Sequence, residues 1–172
     1  MASSFDNNLR LAEMATGDQP GTWGTQTNTN LSLITDAFKY GSEAIPDAST
    51  ATITMQNATA DDARSFYLKC TGGGQACTVT LAPNTVSKVW IIENATSYTL
   101  TFSQGSGANV AVAAGATKMI VTDGGGSSAA VYDALEDLNL GGTPTMTNLT
   151  VTSSVTADSV TAPTLTGSTS VK

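Results

Sequence analysis

The side chains in this chain that could take part in chemistry are two cysteines and two adjacent pairs of carboxylates. The sequence of 172 residues contains no histidine, which excludes Ser–His–Asp and Cys–His catalysis, histidine general bases and histidine-ligated zinc. What remains is Cys70 and Cys77, together with the acidic pairs Asp61–Asp62 and Glu136–Asp137. Catalysis by carboxylates remains possible in principle.

Adjacent carboxylates are poorly placed for paired acid–base catalysis. Neighbouring side chains on a strand point to opposite faces of the sheet. A glycosidase needs two carboxylates that face each other across one glycosidic bond. We therefore expect both acidic pairs to be structural or solvated, and we expect no catalytic residue and no enzyme in this sequence.

Cys70 and Cys77 flank the glycine-rich segment CTGGGQAC. A β-hairpin there could bring them close enough for a disulfide. In a reducing cytoplasm we instead favour two half-buried free thiols. A structural zinc ion wants four ligands, and two thiolates supply half of them. We expect no metal and no cofactor.

The composition favours β-structure and disfavours nucleic-acid binding. Threonine, which suits pleated surfaces and presents a hydroxyl to water, occurs 29 times. Net charge is -7, whereas binding to a phosphate backbone needs clustered Lys and Arg. No stretch approaches the roughly twenty apolar residues needed to span a bilayer, and the amino terminus lacks the features of a secretion signal. We expect synthesis in the cytoplasm, no nucleic-acid partner and no membrane insertion.

The first compositional zone, residues 1–47, predicts one short helix. Leu31, Ile34 and Phe38 recur at intervals of three and four, which places them on one side of a helix. The preceding segment TGDQPGTWGTQTNTN is typical of a loop. Its Trp23 could anchor a docking interface or fold back on the helix. For the two helix ends, the predicted residues are Asn28, Thr29 or Asn30 as amino-terminal cap and Gly41 as stop.

The second zone, residues 48–132, predicts a small β-sandwich or barrel. Short apolar runs alternate with turn-forming segments about every ten residues. Trp90 lies within a continuous apolar run and is predicted to be core. The predicted strands are 51–55, 65–69, 77–81, 88–92, 98–102, 109–113 and 118–122, with 130–132 as a possible eighth.

The remaining residues form a connector at 133–142 and a Thr-rich segment at 143–172. The latter holds ten Thr and two charged residues, with one aliphatic residue at about every fifth or sixth position. A single chain cannot bury aliphatic residues that are spaced so far apart. Parallel copies around a symmetry axis could bury them, because the same residues of each copy would meet in layers. Either the segment is disordered, or copies associate along it. The predicted trimer-interface residues are Leu149, Val151, Val155, Val160, Leu165 and Val171.

Three segments carry a resemblance to a known family. They are LRLAEMATGDQPGTWGTQTNTNLSLITDAFKYG, then NTVSKVWIIENATSYTLTF with GATKMIVTDGGG, and finally LNLGGTPTMTNLTVTSSVTADSVTAPTLTGS. In this order they resemble the virion-attachment region of tail-fibre proteins from marine and cyanobacterial phages. The resemblance implies a mainly β homotrimer with a helix-bearing attachment segment, a small β-domain and the start of an intertwined shaft.

The resemblance also implies a function. It predicts a virion protein, made in the host cytoplasm, whose residues 1–47 dock to a tail adaptor or nozzle through Trp23, Leu31, Ile34 and Phe38. The rest would link to a distal fibre part or a host receptor. One alternative is a capsid decoration or head-fibre protein. Another is a carbohydrate-binding module that would use Tyr67, Trp90 or Tyr98.

Overall fold

The described chain forms a five-stranded β-sheet, a four-stranded β-sheet, a short antiparallel hairpin of β1 and β2, and one α-helix. The structure is a computed structural model that describes residues 4–136 and residue 138. The fold is mainly β, as predicted, and none of the sheets in the described part closes into a barrel. The elements are β1 (Ser4–Phe5), β2 (Ala12–Glu13), α1 (Trp23–Asp36), β3 (Tyr40–Ile45), β4 (Thr50–Thr54), β5 (Tyr67–Gly72), β6 (Cys77–Ala82), β7 (Ser87–Asn94), β8 (Leu100–Ser103), β9 (Val110–Val112), β10 (Thr117–Asp123) and β11 (Val131–Asp133).

The strands from β3 to β8 alternate between the two sheets. β3, β5 and β7 are parallel neighbours in a five-stranded sheet, and β4, β6 and β8 are parallel neighbours in a four-stranded sheet. The chain thus winds as a coil in which each turn adds one strand to each sheet, as in solenoid proteins. Antiparallel strands complete the orders β11-β10-β7-β5-β3 and β4-β6-β8-β9.

All eight predicted strands are present, with ends displaced by at most three residues. The end of β5 moves most, from residue 69 to Gly72. Its start moves from residue 65 to Tyr67, because the Ser65 N–H donates to the Asp62 carbonyl and closes a turn first. Strand β3 was not predicted. It lies before residue 47, yet it pairs along its whole length with β5 in the five-stranded sheet.

Side chains from both sheets meet in one apolar core. Trp90 of β7 is 3% exposed and its Nε1 donates to the Ala63 carbonyl at 2.9 Å, which confirms its prediction as core. Alternate residues of each strand point into this core, as the period of two requires. The largest fully buried apolar members are Phe102, Leu68, Ile92, Leu100 and Ile120.

A buried asparagine organises the turn that carries the chain from β7 to β8. The Asn94 Nδ2 donates to the carbonyls of Tyr98, Val112 and Ala113 at 2.8, 2.9 and 3.1 Å. Its Oδ1 accepts from the backbone N–H and the hydroxyl of Thr96 at 3.0 and 2.7 Å. One side chain therefore satisfies backbone groups of the turn and of the end of β9, groups that would be costly to bury unpaired.

A buried arginine ties the amino-terminal segment to the β-domain. Arg64 is fully buried, and its guanidinium donates to the carbonyls of Leu9, Gln56 and Thr59 at 3.0, 2.7 and 2.8 Å. The Asp61 carboxylate pairs with it at 3.0 Å. A buried charge needs such full pairing, and Leu9 lies between β1 and β2. The guanidinium thus connects that hairpin to the loop that precedes β5.

Helix α1 begins earlier than predicted. Its first residue is Trp23, so the prediction of Asn28, Thr29 or Asn30 as amino-terminal cap is wrong, as is the loop assignment of Trp23. Two threonine hydroxyls explain this, because they donate one turn back along the helix and so satisfy themselves within it. Thr27 donates to the Trp23 carbonyl at 2.9 Å, and Thr29 to the Thr25 carbonyl at 3.0 Å.

Gly41 does not end the helix, as the sequence predicted, but is the second residue of β3. The helix ends at Asp36, with Ala37 following in a helical conformation. A side chain at Gly41 would collide with the Ser65 hydroxyl and the Asp62 carbonyl. Glycine is needed here for close approach of β3 to the turn before β5.

Candidate docking surface

Four apolar side chains lie exposed along one side of α1 and the turn that follows it. Trp23 is 65% exposed, Leu31 57%, Ile34 37% and Phe38 78%. At 100° per residue, the first three project from the same side of the helix. We call these four residues the helix stripe. Large apolar side chains grouped in the open in this way mark interaction surfaces.

Residues next to the helix stripe pack on their own chain. Leu33 and Ala37 are buried, at 1% and 7% exposure. Asn30 forms two hydrogen bonds with the backbone of Ala12 in β2, accepting its N–H at 3.1 Å and donating to its carbonyl at 2.9 Å. These contacts hold the helix along one border of the stripe, and the four stripe side chains stay exposed.

The helix is almost uncharged. Asp36 is its one charged residue, and the carboxylate lies 3.7 Å from the Lys39 ammonium. Lys39 also pairs with Asp62 at 3.1 Å. The stripe is therefore bordered by neutral Thr, Asn and Ser side chains and by ion pairs that are already made, so apolar contact can dominate binding there.

The two cysteines are free and buried. Cys70 lies on β5 and Cys77 on β6, so they belong to different sheets and do not face each other across a hairpin. Burial, with Glu43 and Glu93 nearby, raises the pKa of Cys70 to about 12, and burial also raises the pKa of Cys77. Both are poor nucleophiles, since the thiolate is the reactive form.

The carboxylate pair Asp61–Asp62 is structural. Asp61 accepts from the backbone N–H groups of Gln56 and Arg64, both at 2.8 Å, in addition to its ion pair with the Arg64 guanidinium. Asp62 accepts from the Ser42 N–H at 3.3 Å and pairs with Lys39. Each therefore fixes a turn or a strand start. In the second pair, Glu136 follows β11 and Asp137 lies outside the described residues.

Lys88 is a partly buried cation among aromatic rings. Its Nζ lies 4.9 Å from the Trp90 ring centre and 5.8 Å from that of Phe66, and it donates to two backbone carbonyls at 3.1 Å. Burial, together with the positive charge of Arg64, lowers the pKa of Lys88 to about 8. Sequence reasoning missed this group, because a single Lys within a strand gives no sign of its surroundings.

The aromatic residues considered for carbohydrate binding are separated by the fold. Trp90 is buried, Tyr98 is 42% exposed in the β7–β8 turn, and Tyr67 lies on the outer face of the five-stranded sheet. Tyr67 instead stacks on Tyr40, with ring centres 5.4 Å apart, and its hydroxyl donates to Glu93 at 3.0 Å. The three do not form one platform, and Trp90 has no exposed ring face to offer.

The predicted trimer-interface residues lie outside the described residues, as does the whole of the predicted shaft, 143–172. Within residues 4–136 and 138 there is no pocket and no cluster of metal-ligating side chains. The helix of this same part is too short and too polar to cross a membrane. Of the docking and trimer-interface residues predicted from the sequence, those of the helix stripe are the ones that lie within the described residues.

No family model, curated protein or solved structure matches this chain. The evidence for function therefore comes from the residues of the chain and their geometry. Trp23, Leu31, Ile34 and Phe38, which the sequence predicted together as docking residues, are all exposed, and the first three lie on one side of α1.

Proposed function

We propose that this chain is a structural virion protein, the attachment region of a phage tail fibre, which docks to the tail through the helix stripe. The phage assignment rests on the sequence resemblance. Support for docking comes from the exposure of Trp23 and Phe38, at 65% and 78%. Aromatic side chains that are open to solvent and surrounded by neutral residues are the usual anchors of protein interfaces.

The proposed mechanism is multivalent mechanical linkage. Three copies, joined along the Thr-rich segment 143–172, would present three stripes to one adaptor or nozzle ring. Once one stripe is bound, the other two are held close to their sites on the ring. Three weak contacts therefore give a high overall affinity. A structural linker needs strong attachment under load rather than a catalytic group, and the tied-down amino-terminal segment suits this role. The Arg64 contacts connect that segment to the β-domain.

A test of this proposal compares two single substitutions on α1. Leu31→Glu places a charge in the stripe, and Ser32→Glu places the same charge at the next position, also exposed but outside the stripe. We expect Leu31→Glu to lower incorporation into virions about tenfold or more. A tenfold loss of affinity corresponds to about 1.4 kcal/mol, and burying an unpaired carboxylate at an interface costs more than that. Ser32→Glu should be incorporated normally. Quantitative immunoblotting of purified particles measures both.

The location of the chain is tested separately. A Fab fragment against the β-domain, imaged on intact virions by electron microscopy, should decorate the tail near the particle. Decoration of the capsid would instead favour the head-fibre alternative. Equal incorporation of the two α1 variants would contradict docking through the stripe, whatever the location.

A further inference from the structure

The two sheets have outer faces of opposite character. On the four-stranded sheet the outward row Thr50–Thr78–Thr101 and the next, Thr52–Thr80–Ser103, run across β4, β6 and β8. These rows present hydroxyl groups to solvent. An outer face of this kind is stable in water without any partner.

The outer face of the five-stranded sheet is apolar and aromatic. One outward row runs Tyr40–Tyr67–Ile91–Met119 across β3, β5, β7 and β10. A second runs Val89–Val121–Tyr132 across β7, β10 and β11. We call these two rows the sheet face. Its strands also point Leu68, Ile92 and Ile120 inward to the core, so they carry apolar residues on both sides. Strands apolar on both sides are typical of sheets that are covered on both sides.

The carboxylates that border the sheet face already form hydrogen bonds or ion pairs within their own chain. In the row beside the sheet face, the Lys69 ammonium lies 2.8 Å from the Glu93 carboxylate, which also accepts from the Tyr67 hydroxyl. At the opposite border, the Asp123 carboxylate accepts from the backbone N–H groups of Gly125 and Ala130 at 2.9 and 3.0 Å. The face itself carries no net charge on its two rows.

This neutrality indicates which partner fits. The chain has a net charge of -7, so two copies repel each other wherever acidic residues meet. A neutral apolar face allows close approach without that repulsion. A basic partner, by contrast, would be matched by free acidic residues around the face, and Glu93 and Asp123 are engaged within their own chain.

We infer that the sheet face is the surface through which the β-domain of one copy of this chain packs against the β-domains of the other copies in the proposed trimer. This inference rests on the proposed function. It assigns contact between copies to the sheet face, and contact with the adaptor to the helix stripe. Burial of the aliphatic side chains in the two rows would supply the driving force. The stacked Tyr40–Tyr67 pair extends the contact to the edge of the sheet.

Site-directed cross-linking tests the inference on the full chain. Met119→Cys places a thiol within the sheet face, and Thr80→Cys places one at a matched outward position on the other sheet. Cys70 and Cys77 are buried and interfere little. After mild oxidation we expect disulfide-linked dimers of the Met119→Cys chain at about tenfold or more above the Thr80→Cys level, since only close thiols of suitable geometry react.

A second substitution confirms that the contact is specific. Val121→Glu lies beside Met119 in the next outward row of β10 and should abolish cross-linking of Met119→Cys, because it buries an unpaired carboxylate between the copies. Circular dichroism checks that this double variant is folded. If it is not, Val121→Thr, which removes apolar surface without adding charge, should lower the cross-linked fraction instead.

The outcomes separate this inference from the proposed function. Equal cross-linking of Met119→Cys and Thr80→Cys would overturn the sheet face as the contact between copies. If particle incorporation still depends on Leu31, the docking proposal stands although the inference has failed. A Met119→Cys chain that sediments as an oligomer but does not cross-link would show that water or a different molecule covers the face, which also overturns the inference.

Discussion

Lys88 holds an ammonium group in surroundings that favour its neutral form. Two carbonyls and two aromatic rings stabilise the cation, but loss of solvation and the nearby Arg64 outweigh them and lower its pKa to about 8. An unfolded lysine keeps a pKa near 10.4. Between these two values the unfolded state binds the proton and the folded state does not.

The contribution of Lys88 to stability should therefore rise with pH in the alkaline range, whereas the raised pKa of Cys70 makes the contribution of that thiol fall above pH 9. By linkage, a group that binds more protons when unfolded makes the free energy of unfolding increase with pH. We expect Lys88 to add up to about 3 kcal/mol between pH 8 and pH 10.5, at 1.36 kcal/mol per pKa unit. Urea unfolding of the wild-type protein and of Lys88→Met across this range measures the difference.

The difference in the free energy of unfolding between the wild type and Lys88→Met reports on the titration of Lys88 only through its dependence on pH. Lys88→Met also removes two hydrogen bonds, which shifts stability equally at each pH. Lys118→Met, which removes a more exposed ammonium paired with Asp133 at 2.9 Å, should keep the pH dependence of the wild type. A Lys88→Met curve parallel to that of the wild type would show that Lys88 stays charged in the folded protein.

At the scale of elements, the sequence was most informative about the strands and least informative about their partners. Runs such as 77–81 and 118–122 alternate because one face of each strand is buried, and that pattern survives in β6 and β10. The same alternation of buried and exposed residues arises in two cases. Consecutive strands can be hydrogen-bonded neighbours in a hairpin, or they can lie in opposite sheets. Topology therefore could not be derived from periodicity.

The helix and strand β3 show two further limits of sequence patterns. Threonine and asparagine favour helix caps and loops on average, yet Thr27 and Thr29 donate within α1 and Asn30 bonds to β2. Strand β3 contains Gly41, which interrupts the apolar alternation. The placement of Leu31 and Ile34 on one side of the helix, by contrast, could be predicted from their spacing.

The turn from β7 to β8 should depend on the amide of Asn94. Asn94→Asp keeps the shape of the side chain but removes the donor to three carbonyls and buries a carboxylate. We expect a loss of about 3 kcal/mol or more in the free energy of unfolding. Urea denaturation measures it, with Asn109→Asp, an exposed position just before β9, as control. Equal stability of the two variants would mean that this turn does not need the amide.

At the scale of the whole molecule, two apolar surfaces have different proposed partners. The helix stripe is assigned to the adaptor, and the sheet face to the other copies of the chain in the trimer. The proposed homotrimer should sediment at three times the chain mass of 17.5 kDa. Analytical ultracentrifugation at micromolar concentration measures this, and Leu31→Glu should leave the mass unchanged, because the stripe is not the contact between copies. A clean monomer would contradict the trimer.

The alternation of strands between two sheets has a consequence for how such a domain changes in length. Each winding contributes one layer to both sheets and rests only on its immediate neighbours, β3 on β5 and β5 on β7. Duplicating or deleting a whole winding would preserve the width of the domain and every side-chain layer that remains. The architecture is in this respect modular, and related chains could differ in reach by whole windings while keeping the same cross-section.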